Sequence, residues 1–188
     1  MHTLDHNDYL ALREHCKVIE KDGFGDKVMI LQDGTFLKLF RRKRLISSAA
    51  IRPYAQRFAD NAKKLKELGI PCPEIIQVYR IPSIERDAVH YHPLPGTTLR
   101  DLHSGDQDYP ADLRERFLQF VEHIQDLGVY FRSIHLGNVV LTPEGELGLI
   151  DISDMKIFHR PLSKWQRKRN YEHMVRDARD REWLKVGL

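Results

Sequence analysis

A chain of 188 residues is long enough for one domain, or for two small lobes, with most of its apolar surface buried. Its 41% apolar and 30% charged residues are the composition of an ordinary globular protein, and a net charge of +3 permits an anionic partner without marking a nucleic-acid binder. No apolar run reaches the roughly 18 residues a membrane span needs, and the N-terminal MHTLDHNDYLALREH lacks the apolar core of a signal peptide. Cys16 and Cys72 lie far apart in such a chain, so a reduced cytoplasmic compartment is expected rather than a disulfide.

In chain order, a short helix is expected near Asp8 to His15, then strands over Cys16 to Ile19, Lys27 to Leu31 and Thr35 to Phe40. The first two flank Lys21-Asp22-Gly23-Phe24-Gly25-Asp26, and Gln32-Asp33-Gly34 turns the chain into the third. Gly23 and Gly25 fit a plain turn, or one whose amides approach a phosphate. In the third strand Leu37 and Leu39 share one face, while Lys38 points to the other with Phe36 and Phe40. A lysine among aromatics either snorkels at an edge or reaches an anion. Arg41-Arg42-Lys43-Arg44 then gives, with Lys38, five bases in seven residues. Such a run fits a solvated loop, an anionic substrate or an acidic membrane surface.

Ser48 to Leu68 is expected to be mostly helical, with Phe58, Ala62, Leu65 and Leu68 at helical spacing and Gly69 as its stop. Strands follow over Ile75 to Arg80 and Asp87 to Tyr91, and His92-Pro93-Leu94-Pro95-Gly96 has no helix potential. Composition then turns helix-rich. The expected organisation is an N-lobe over 1–91, a hinge over 92–96 and a helical C-lobe over 97–188. Leu113 to Leu127 has an amphipathic pattern, with Leu113, Phe117, Phe120, Val121 and Ile124 on one face and Gly128 at its end. Ser163 to Val186 reads as one or two helices anchored by Trp165, Tyr171, Met174, Ala178 and Trp183.

Tyr130 to Met155, YFRSIHLGNVVLTPEGELGLIDISDM, organises the chain. Val139 to Leu141 and Leu147 to Ile152 flank a Pro-Glu-Gly turn and read as a hairpin. Asn138 precedes the first strand and Asp151 sits in the end of the second, so an antiparallel return brings an amide oxygen and a carboxylate together. The pair fits a surface hairpin with a capping Asn, or a hard cation such as Mg²⁺, which a few protein oxygens hold together with phosphate.

Five stretches in this order carry a family resemblance: GFGDKVMILQDGTFLKLF, LKELGIPCPEII, HPLPGTTLRDL, GVYFRSIHLGN and LGLIDISD. Together they resemble the protein-kinase-like superfamily, and within it the small bacterial group of lipopolysaccharide core kinases and toluene-tolerance proteins. IHLGNVVL followed by LGLIDISD is the most specific part. The resemblance implies an α+β, compact protein-kinase-like fold with a strand-rich N-lobe and a short helical C-lobe. It implies ATP and Mg²⁺ as cofactors, with Lys38 on the nucleotide phosphates, Gly23 to Gly25 covering them, and Asn138 and Asp151 on the metal. The implied acceptor is a hydroxyl of a lipopolysaccharide core sugar or a similar small molecule. Arg41, Arg42, Lys43 and Arg44 would touch an acidic cytoplasmic membrane face peripherally.

Two departures bear on catalysis. The family's loop carries an aspartate five residues before the metal asparagine, to take the acceptor's proton, and Ser133 stands there. The helix should offer a glutamate to the lysine, but the register gives Phe58, with Asp60, Asn61 or Glu67 as substitutes. His135 is a candidate replacement base, and Asp101, Asp126 and Asp154 are further carboxylates, Asp154 also fitting a cap of the following turn. A kinase-like phosphotransferase using Ser133, His135 and Asp151 is therefore expected. The alternatives are a nucleotide-binding pseudokinase with a regulatory role and a scaffold that binds no nucleotide.

Overall fold

A computed structural model describes residues 1–41, 53–105 and 109–184 of the chain. They form two compact units, Met1–Lys63 with Pro73–Pro93 and Lys64–Cys72 with Leu94–Leu188. The architecture is mixed α and β, and no described helix is long and apolar enough to cross a membrane.

The first unit is built on a six-stranded sheet: β1 (His2–Thr3), β2 (Lys17–Asp22), β3 (Gly25–Ile30), β4 (Phe36–Arg41), β5 (Glu74–Ile81) and β6 (Arg86–His92), in the order β1-β5-β6-β4-β3-β2. All neighbours are antiparallel except β1, which pairs parallel with β5. Period-two alternation gives β4 two different faces. Leu37 and Leu39 pack with Tyr9, Met29, Leu31, Ile81 and Ala88 in one cluster, and Tyr9 comes from α1 (His6–Leu12). Phe36, Lys38 and Phe40 face the other way. The tight turn before β4 is closed by Gly34 N–H on Leu31 C=O, and Thr35 donates its hydroxyl to Asp33 Oδ1 at 2.5 Å. That hydroxyl has one proton, so the contact at 2.7 Å to His90 Nε2 makes the ring the donor. Burial lowers the His90 pKa, which favours this neutral, donating form.

Helix α2 (Tyr54–Glu67) begins in the first unit and ends in the second. The sequence places all of 1–91 in one lobe, whereas Lys64–Cys72 groups with the second unit. A hydrogen bond shows why: Leu149 N–H donates to Pro71 C=O at 2.9 Å.

The second unit has two small sheets, one of β7 (Thr97–Thr98), β9 (Val139–Leu141) and β10 (Leu147–Leu149), the other of β8 (Val129–Tyr130) and β11 (Lys156–Ile157). Its helices are α3 (Leu99–Ser104), α4 (Leu113–Asp126), α5 (Lys164–Met174) and α6 (Ala178–Leu184). In α4 the residues Leu113, Phe117, Val121 and Ile124 are buried, the i, i+4, i+8 stripe of a helix against a core. Of the anchors expected in the last two helices, Met174 and Trp183 are buried as expected, whereas Trp165 is 63% exposed and Tyr171 and Ala178 are also exposed. Gln166, Asn170 and Met174 form the buried face of α5.

Gly128 links α4 to β8 with φ +83°. A Cβ there would lie 2.3 Å from Phe158 C=O and 2.6 Å from Arg160 C=O, both backbone atoms that cannot swing aside. Gly34 has the same φ of +83° but open space around it. Gly128→Ala is therefore expected to cost about 3 kcal/mol, a left-handed penalty plus overpacking, against about 1 kcal/mol for Gly34→Ala. Urea unfolding of both variants checks this, and equal losses would remove the close approach as the cause.

Candidate functional site

In the first unit, Lys38 is 6% exposed and its Nζ lies over two aromatic faces, 5.8 Å from the Phe40 centroid and 6.0 Å from that of Phe58. Phe58 comes from α2 and packs at 5.3 Å on Tyr91 of β6, so the lysine sits in an aromatic enclosure. An ammonium over ring faces is stabilised by their quadrupoles. Phe58 thus occupies the helix position beside the lysine, as the register of the sequence implies.

The Gly23–Gly25 turn starts β3, which pairs with β4 through Val28 and Lys38. Its tip is tied down from within. Phe24 N–H donates to Asp22 Oδ1 at 2.8 Å, and buried Arg86 donates to Phe24 C=O at 2.9 Å. One amide of the turn is therefore used inside the chain. Arg41 stacks 3.2 Å over the exposed Phe24 ring. The rest of the basic run, Arg42, Lys43 and Arg44, lies outside the described residues.

In the second unit, the hairpin of β9 and β10 pairs Val139 with Leu149, and Ile150 N–H donates to Asn138 C=O at 3.0 Å. This brings Asn138 next to the residue preceding Asp151. The second strand ends at Leu149, shorter than the expected Leu147 to Ile152, because Asp151 takes a left-handed conformation at φ 51°, ψ 45°. Aspartate is one of the few non-glycine residues that take this conformation, and residues held there concentrate at functional sites.

Asn138 is buried and its Nδ2 donates to Ser133 C=O at 2.9 Å. That bond fixes which end of the amide is nitrogen, so Oδ1 is the end free to act as an oxygen ligand. An amide oxygen and a carboxylate at neighbouring ends of one hairpin are the ligand types of a hard, oxygen-seeking ion that completes its shell with water and phosphate, as Mg²⁺ does. Among the described residues no group of three or more His, Cys, Asp or Glu side chains could hold a metal.

Around these two residues the loop 131–138 is held by groups that the sequence did not single out. Asp180 of α6 is fully buried and accepts from Arg100 Nε and Nη2 at 3.1 and 2.7 Å. Its Oδ2 also accepts from Leu136 N–H at 3.0 Å. Asn170 of α5 donates to Phe131 C=O at 2.5 Å. Arg100, Asn170 and Asp180 are isolated polar residues in short helices, and no motif in the sequence marks them.

Ser133 donates its hydroxyl to Asp154 Oδ2 at 2.7 Å. The pairing of β8 with β11, Tyr130 opposite Lys156, sets Asp154 against the start of this loop. Burial raises the Asp154 pKa, opposed by the Ser133 hydrogen bond and by Arg132, whose Nε is 3.9 Å from Oδ2. The other sequence candidates are engaged elsewhere: Asp101 with Thr98 at the start of α3, and Asp126 with Arg167 at 2.6 Å. His135 has a lowered pKa, first from burial and then from the Arg100 charge, and its Nδ1 is buried without a hydrogen bond among the described residues. The Ser133 hydroxyl thus goes to Asp154, and His135 lies beside Gly137 and Arg100.

A scan against protein-family models finds no match, and a search of curated proteins finds none.

Proposed function

We propose that this protein binds ATP with Mg²⁺ in a compact protein-kinase-like fold and transfers the terminal phosphoryl group to a hydroxyl. The observation that carries the reading is the pair Asn138 and Asp151, an oriented amide and a left-handed aspartate whose backbones meet at the end of one hairpin. Lys38, a buried cation in the first unit, supports it as the residue for the nucleotide's phosphates. Magnesium bound by Asn138 and Asp151 would neutralise charge on the transferred group, which is most of what phosphoryl transfer requires of a protein. The resemblance in the loop and hairpin sequences points to a sugar hydroxyl of a lipopolysaccharide core as acceptor, reached at the cytoplasmic membrane face by Arg41 to Arg44.

Ser133 in place of the loop aspartate favours a second reading, a pseudokinase that binds nucleotide without transferring phosphate. Calorimetric titration with ATP, with and without Mg²⁺, tests what the two readings share. Binding that requires the ion is expected, together with a loss of about tenfold in affinity for Lys38→Met, as a charge-assisted contact is worth about 1.5 kcal/mol. No heat and no thermal shift at millimolar ATP would leave only a scaffold.

A further inference from the structure

We infer that Ser133 and Asp154 form a proton relay that does the work of the missing loop aspartate, which makes the protein an enzyme and not a pseudokinase. The inference rests on the nucleotide reading above. Ser133 occupies the loop position from which the acceptor's proton would be taken, and its hydroxyl already donates to Asp154 Oδ2 at 2.7 Å. The acceptor of that proton is a carboxylate only 19% exposed, on the 3-10 turn Ile152–Asp154 that follows Asp151. A single segment therefore carries both the proposed metal carboxylate and the proposed base.

A purely structural role explains Asp154 poorly. Its Oδ1 is buried and makes no hydrogen bond among the described residues, a cost that a capping carboxylate would avoid by accepting backbone N–H groups. The charges facing it are Arg132 from the loop, Asp151 from its own segment and His173 from α5. Burial and Asp151 raise its pKa, which improves a carboxylate as a proton acceptor near neutral pH.

In the transfer step the acceptor oxygen bonds to the γ-phosphorus as the bridging P–O bond breaks, its electron pair leaving with ADP. The acceptor's proton passes to Ser133 Oγ while the serine's own proton passes to Asp154 Oδ2. Serine ends neutral, Asp154 ends as a carboxylic acid, and the proton then passes to water from a side chain that is 19% exposed. Ser133 touches the acceptor, and Asp154 acts through it.

The test uses the full chain as wild type, Ser133→Ala, Asp154→Asn, Asp154→Glu and the double variant Ser133→Ala/Asp154→Asn. Three quantities are read: the Kd for Mg²⁺·ATP, the single-turnover release of labelled phosphate with water as acceptor, and Tm. The Kd is expected to stay within about threefold throughout, while phosphate release falls about a hundredfold in Ser133→Ala and Asp154→Asn. The double variant should be no slower than either single one, since the pair acts as a unit. Asp154→Glu should recover about a tenth of the wild-type rate, and Asp154→Asn should not lower Tm. If Asp154→Asn does not fold, Ser133→Ala carries the comparison. Release by Asp154→Asn within threefold of wild type overturns the relay alone. So does a wild type that binds Mg²⁺·ATP but releases no phosphate. A wild type that binds no Mg²⁺·ATP overturns the nucleotide reading and the relay with it.

Discussion

Asp180→Asn is expected to destabilise the protein by about 3–5 kcal/mol, the usual cost of removing one partner from a buried ion pair. The carboxylate is 1% exposed, takes two hydrogen bonds from Arg100 and a third from the Leu136 amide. An asparagine fits the space but turns at least one donor toward the guanidinium. Among the described residues, Asp177, 3.5 Å away, is then the carboxylate left to pair with Arg100. Against a total stability of about 5–15 kcal/mol this is a large fraction, and Tm should fall by about 10 °C. Thermal unfolding of Asp180→Asn and Arg100→Lys measures it. A Tm change below about 2 °C for Asp180→Asn would mean that the loop is held without this contact. Because the Leu136 amide opens the 3-10 turn carrying Asn138, Mg²⁺-dependent binding should weaken even where the variant stays folded.

Asp151→Asn should have the largest effect on ligand binding, with magnesium affinity in the ATP complex falling at least about a hundredfold. The substitution separates charge from backbone. Asparagine tolerates the left-handed region almost as well as aspartate, so the φ of 51° is kept while the negative charge is lost. Tm should therefore stay within about 2 °C of wild type, whereas an alanine would mix metal loss with strain of about 1–2 kcal/mol. Calorimetry at varied Mg²⁺ checks the affinity. Unchanged Mg²⁺ dependence in a folded Asp151→Asn protein would remove the aspartate from the metal site.

The amino-acid sequence by itself determined the elements whose signal is local. Alternation in Phe36–Arg41 set Leu37 and Leu39 in the core and Lys38 among aromatics, since successive strand side chains point to opposite faces. The stripe of Leu113, Phe117, Val121 and Ile124 marked α4, and the turn between Val139–Leu141 and Leu147–Leu149 marked the hairpin that brings Asn138 and Asp151 near each other. Only the tertiary structure decided which groups surround them. Strands β8 and β11 are two residues each, too short for any period to show, yet their pairing carries Asp154 to Ser133. Helix α5 turns Gln166 and Asn170 inward, where Asn170 satisfies the Phe131 carbonyl, while Trp165 stays in solvent. Hydrophobic periodicity reports burial of apolar surface, whereas the loop 131–138 is fixed by polar side chains that meet backbone groups. Partners such as Arg100 and Asp180, 80 residues apart, are chosen by the folded chain and leave no pattern in its sequence.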